Sequence, residues 1–206
     1  MSISITLHRS GTSRTQQVDT TTTGLDLFGS DRAVVAMRVD GNLVDLQREL
    51  HDGAEVEPVE ATSEDGLNII RHSATHVMAQ AVQQLYPEVN LGIGPFITDG
   101  FYYDFGNIEP VTPEVLSELE KRMKRIVKEN QRFVRRVTTE ESAREELADQ
   151  PYKLELIGTK GKGAEGASVE VGGGELTIYD NVRRNGEVAW KDLCRGPHVP
   201  STCLLY

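Results

Sequence analysis

The sequence predicts a two-part α+β protein: a small β-rich unit, then a larger unit with a few helices packed on an antiparallel sheet. Three observations predict it. Residues 2–8 alternate apolar and polar side chains, and β-prone runs flank an Asp-Gly turn at 40–41. A long stripe with helical spacing runs from Leu67 to Tyr86. Beyond it, short β-prone runs alternate with glycine-rich turns. The chain has 206 residues, 38% hydrophobic and 26% charged, which is the range of a folded chain and leaves room for two small domains. Its longest aliphatic runs, such as Ala33 to Met37, are far too short to span a bilayer. The start, MSISITLHRSG, lacks a basic stretch followed by an apolar core, which argues against a secretory leader. Two cysteines cannot build a disulfide framework, so a cytoplasmic location is expected.

The elements follow in order. Ser2 to His8 places Ile3, Ile5 and Leu7 on one side of a strand. A polar, Thr-rich stretch follows, with turn-prone Gly24 and Gly29. Ala33 to Val39, Asp40-Gly41 and Asn42 to Leu46 read as a hairpin. Ala54 to Val59 is a last short strand, and Pro58 predicts an edge position for it. The polar stretch ATSEDG, 61–66, marks the boundary between a domain over 1–61 and one over 62–206. In the helix from Leu67 to Tyr86, closed by Pro87, the residues Leu67, Ile70, Ala74, Val77, Met78, Ala81 and Leu85 form an apolar stripe. His72 and His76 fall on the other face.

Leu91 to Phe105 is a turn-rich strand pair. Thr112-Pro113-Glu114 opens a helix that buries Leu116, Leu119, Met123 and Ile126. Thr138 with Glu141 matches a capping box for a third, short helix. Tyr152 to Ile157 reads as a strand. Gly158 to Gly174 is a glycine-rich loop without phosphate-loop spacing. Glu175 to Tyr179 and Val188 to Leu193 are strands around an Asn185-Gly186 turn.

Charge is uneven. The net charge is −10, yet Lys121 to Arg136 holds eight basic residues and one acid, so this segment is +7 and the rest −17. An acidic chain argues against indiscriminate nucleic-acid binding, while a local basic stripe can make an oriented contact with a polyanion. The plainer reading is a solvated helix face.

Two spaced pairs carry chemistry. His72-x-x-x-His76 stacks two imidazoles one helical turn apart. Cys194-x-x-x-His198 encloses Gly196-Pro197 and so sits on a turn. Three imidazoles and a thiolate are a plausible zinc shell. A zinc-peptidase pattern needs glutamate after the first histidine, and Ser73 stands there. The plainer alternative for His72 and His76 is a pair of exposed residues.

RHSATHVMAQAV, LGIGPFITDGFYYDF, LEKRMKRIVKEN, PYKLELI and DLCRGPHVP, in this order, resemble the N-terminal half of bacterial threonyl-tRNA synthetases from about residue 62 to 202. Residues 1–61 resemble, less distinctively, that family's TGS module, a ubiquitin-like β-grasp. The resemblance implies that the second part is an editing domain that hydrolyses serine wrongly attached to threonine tRNA. It implies that His72, His76, Cys194 and His198 line the editing pocket, with Lys153 and Asp192 as further catalytic residues and Tyr102, Tyr103 and Asp104 along a wall. Zinc on the quartet is the candidate cofactor, and the threonine tRNA acceptor end is the expected partner, with the basic helix as a candidate contact. The family's aminoacylation and anticodon-binding domains are not in this sequence, so charging of tRNA is not expected of it. The ending Cys203-Leu204-Leu205-Tyr206 departs from the family and reads as a truncation or a divergent end. The alternative reading is a non-catalytic tRNA- or protein-binding module.

Overall fold

A computed structural model describes residues 1–158 and 175–205. The chain divides into two compact units: Met1–Ile70 with Pro197–Pro200, and Arg71–Gly196 with Ser201–Tyr206.

The first unit is built on a five-stranded sheet. Its strands are β1 (Ser2–Arg9), β2 (Thr12–Asp19), β3 (Val34–Val39), β4 (Asn42–Val44) and β5 (Glu55–Glu60), in the order β2-β1-β5-β3-β4. All neighbours are antiparallel except β1 and β5. The expected hairpin forms: Val39 pairs with Asn42, and Asp40 and Gly41 both take positive φ, which the two-residue turn between right-twisted strands requires. Ile3, Ile5, Met37 and Val56 from the sheet close a core with Phe28 and Leu46.

Two expectations are corrected here. The Thr-rich stretch holds strand β2 and a short helix, α1 (Gly24–Phe28). β2 lies at a sheet edge and is largely exposed, so its sequence shows little alternation. β5 lies inside the sheet, not at its edge. Pro58 is tolerated because the register of β5 with β1 covers only Glu55 and Val56, so proline's missing N–H falls beyond that ladder.

The second unit contains most of helix α2 (Glu64–Leu85), with α3 (Pro113–Glu129), α4 (Glu140–Glu146) and α5 (Pro151–Gly158). Its main sheet is antiparallel: β10 (Arg132–Val137), β11 (Thr177–Val182) and β12 (Val188–Leu193). Two small hairpin-like ladders precede it, β6 (Asn90–Leu91) with β9 (Phe105–Gly106) and β7 (Phe96–Ile97) with β8 (Gly100–Phe101). Every residue of β11 is buried, as befits a central strand. Ala143, Leu147, Ile157, Leu176, Ile178 and Leu193 form a core between α4, α5 and the sheet.

Thr112 caps α3 as expected, its Oγ1 accepting the Val115 N–H, but Leu116 is 58% exposed rather than buried. The cap of α4 is Thr139, one residue beyond the expected Thr138. The strand expected over Tyr152–Ile157 is helix α5. The basic run is not one helical stripe: α3 ends at Glu129, Asn130 turns left-handed, and Arg132, Arg135 and Arg136 lie on β10. The glycine-rich loop expected over Gly158–Gly174 lies, from residue 159 on, outside the described residues, as does Tyr206. Among the described residues no helix is long and apolar enough to cross a membrane.

Candidate functional site

Helix α2 carries the first pair. Ser63 starts it, its Oγ accepting the Gly66 N–H, and Pro87 follows its end. Burial is not confined to the apolar stripe. Val77 and Ala81 of the stripe are buried, but so are His72, Ser73, Thr75, His76, Ala79 and Gln80 on the other side, while Leu67 is 42% exposed. The histidine face is therefore also an inward face of the helix, and the reading of His72 and His76 as exposed residues is overturned. His72 and His76 meet edge to face at 5.5 Å, and Trp190 and Phe133 box His76 at 5.3 and 6.3 Å. Burial, and after it the charges of His72 and Lys153, hold the His76 pKa well below the ordinary imidazole value.

The second pair stands on the turn after β12. Cys194 extends the β11 pairing through its N–H to the Thr177 carbonyl at 3.1 Å, and its own carbonyl accepts the Thr177 hydroxyl. Gly196 turns the chain at φ +71°, and its N–H reaches the Cys194 Sγ at 3.3 Å. A side chain at Gly196 would sit 1.9 Å from the hydroxyl of buried Tyr179, so only glycine fits. His72 Nε2 lies 3.2 Å from that sulfur. His198 follows on Pro197–Pro200, its N–H held by Asp45 Oδ1 at 2.8 Å. One ligand atom from each of His72, His76, Cys194 and His198 lies within 4.8 Å of the others, and all four residues are buried.

Lys153 and Asp192 form a second buried group. Helix α5 turns Lys153 inward, with no exposed surface, and its Nζ lies 2.9 Å from Asp192 Oδ1. Asp192 Oδ1 also accepts the Leu193 N–H at 2.8 Å, and Oδ2 accepts the Tyr103 hydroxyl at 2.6 Å. The ammonium stands 5.5 Å from the Tyr103 ring centroid. Of the wall residues read from the sequence, Tyr103 is buried in this network, while Tyr102 and Asp104 are exposed. Sequence reasoning missed the aromatic box of Trp190 and Phe133. The chain's only tryptophan, two residues before Asp192, was the available signal.

The donor set fits zinc by chemistry: three imidazoles and a thiol, all buried, are borderline-soft ligands. Tetrahedral zinc places a sulfur and a nitrogen ligand about 3.5 Å apart, so the Cys194–His72 pair, at 3.2 Å, would open slightly to take an ion.

No protein-family model matches the chain. Against curated proteins it is 59% identical to the threonine–tRNA ligase of Streptomyces avermitilis over 203 residues, 97% of this chain and 31% of the relative. It is 62% identical to that of Streptomyces griseus over 188 residues, 90% of this chain and 29% of the relative. For the threonine–tRNA ligase of Thermobifida fusca the figures are 59% over 186 residues, 88% and 28%. The chain thus spans less than a third of the length of these relatives, and its similarity is to that part of them alone.

Proposed function

We propose that this chain is a proofreading part of a threonine–tRNA ligase: it hydrolyses the ester that joins serine to threonine tRNA. In this reading residues 1–61 are a TGS-type β-grasp module and residues 62–206 an editing domain, acting in the cytoplasm. The observation that carries it is the buried convergence of His72, His76, Cys194 and His198 in a chain so similar to these ligases. Serine lacks one methyl group of threonine, and one methyl gives only about 1–3 kcal/mol of discrimination, so a second, hydrolytic pocket serves a real need.

The residues present divide the work. His76, kept neutral by burial, can accept a hydrogen bond from water. Oxygen of that water bonds to the ester carbon, the carbon–ribose oxygen bond breaks, and the water's proton passes to the ribose oxygen. The Lys153 ammonium, oriented by Asp192, offers positive charge to the carbonyl oxygen as it becomes an oxyanion. Zinc, if held by His72, His76, Cys194 and His198 together, would be structural; with an open position it would acidify water.

The test is single-turnover deacylation of threonine tRNA charged with serine or with threonine. Serine should be released and threonine retained, and His72→Ala/His76→Ala should fall to background. Absence of serine release above background from the unaltered chain would overturn the reading, and retained tRNA binding would then leave a non-catalytic module.

A further inference from the structure

We propose that the Gln80–Asn181 amide pair, between α2 and the main sheet of the second unit, holds an internal water molecule beside the aromatic box of His76. This site stands whether or not the chain hydrolyses an ester.

Helix spacing and strand register set its place. Gln80 follows His76 by four residues, so the two share one face of α2. Asn181 on β11 stands opposite Phe133 of β10 and Trp190 of β12. Directly opposed residues of an antiparallel sheet project to the same side. Asn181 therefore lies on the side of the two rings that box His76. Its Nδ2 donates to Gln80 Oε1 at 2.8 Å. Three residues further along α2, Gln83 Oε1 accepts the Trp190 indole N–H at 2.7 Å. Two amides of one helix face thus hold two neighbouring strands.

The Trp190 bond satisfies the indole, which has one donor and no acceptor. The Gln80–Asn181 bond leaves both of its members incomplete. Each carboxamide has a donating nitrogen and an accepting oxygen, and the single bond uses one end of each. Gln80 and Asn181 are fully buried, and among the described residues Gln80 Nε2 and Asn181 Oδ1 make no hydrogen bond. Turning both amides over exchanges the partners but again leaves one donor and one acceptor, so the surplus is the same in either orientation. Protein interiors rarely leave such groups without a partner.

The surplus pair selects its ligand. A buried neutral donor beside a buried neutral acceptor suits a small molecule that accepts and donates at once, and water does both. A cation would use the carbonyl alone and an anion the amide nitrogen alone, and neither would find a counter-charge in the pair.

The experiment uses the full isotope-labelled chain, and transfer of magnetisation from water to the side-chain amides is read by NOESY and by ROESY. A held water should give cross-peaks at the Gln80 or Asn181 amide that differ in sign between the two spectra, whereas proton exchange gives one sign in both. Loss of the peaks in Gln80→Met and in Asn181→Leu assigns them. Relaxation dispersion of water oxygen counts long-lived internal waters. Gln80→Met/Asn181→Leu removes both amides together and strands neither, so it should stay folded and lose the dispersion amplitude of one water. Absence of the opposite-sign cross-peaks from the unaltered chain would overturn the site, whatever the variants do. An unchanged dispersion amplitude in the folded double variant would place the water elsewhere and overturn it as well.

Discussion

Gly196 is the residue on which the thiol depends most directly. It combines a positive φ with the absence of a Cβ that would strike Tyr179, and its N–H points at Cys194 Sγ. Gly196→Ala should cost more than about 2 kcal/mol, since left-handed backbone alone costs about 1–2 kcal/mol and the clash adds to it. Urea unfolding checks the stability, and the rate of Cys194 alkylation reports whether the turn has shifted. Lys153 and Asp192 make a sharper case. Asp192→Asn leaves a fully buried ammonium beside a neutral amide and should destabilise by about 3–5 kcal/mol. Lys153→Met should cost less, because Asp192 keeps the Tyr103 hydroxyl and the Leu193 N–H. The double variant should be more stable than the sum of the two losses predicts, and a double-mutant cycle in urea measures that difference. The quartet was legible at this scale, since two four-residue spacings of metal-binding side chains announce themselves. The plain reading of the residues made Lys153 a surface lysine, because burial of an ammonium depends on a partner 39 positions away that spacing cannot show.

Elements were legible where polarity followed burial and illegible where the site inverted it. In α5 the buried residues are Lys153 and Ile157, four apart as a helix requires. With lysine in the inward position, Leu154, Leu156 and the charged residues around them imitate strand alternation. Helix α2 repeats the inversion: its length and end were readable, yet its inward face carries His72, Ser73, Thr75, His76 and Gln80. Places where a local pattern contradicts the fold are where function is expected. The sheet of the second unit is tied to α4 by ionic contacts as well as by its core. Arg136 on β10 bonds Glu146 of α4 with two nitrogens and Asp180 of β11 with its Nε, and Lys191 of β12 adds a contact at 3.2 Å. These bonds, Arg136 first, lower the Glu146 pKa from 4.5 to about 2. A carboxylate depressed in the fold stabilises it fully above its unfolded value near 4.5, and that stability is lost as pH falls toward 2. The urea midpoint of the parent should therefore drop between pH 5 and pH 2 more than that of Glu146→Gln. At pH 7 the variant should be weaker by about 1 kcal/mol, as befits a partly exposed ion pair. Equal pH profiles for the two proteins would refute the assignment.

Across the whole molecule, the sequence places a +7 segment in a chain of −10, but the structure leaves much less of that charge available. Arg122 pairs with Glu118, Lys124 with Glu120, Arg135 with Glu175, and Arg136 with Glu146 and Asp180. Lys121, Arg125 and Lys128 are exposed, and among the described residues they make no ion pair. Their spacing of four and three places them on one face of α3. Arg132, also exposed, stands at the start of β10. The proposed tRNA contact is therefore a short cationic strip rather than a field, and its strength has a measurable signature. Three phosphates neutralised on a duplex give a slope of roughly −2.7 in log affinity against log salt. Lys121→Glu/Arg125→Glu/Lys128→Glu should flatten that slope toward zero and leave the unfolding midpoint nearly unchanged, because all three side chains lie in solvent. An unaltered salt slope would remove α3 from the RNA contact and assign the affinity to other residues.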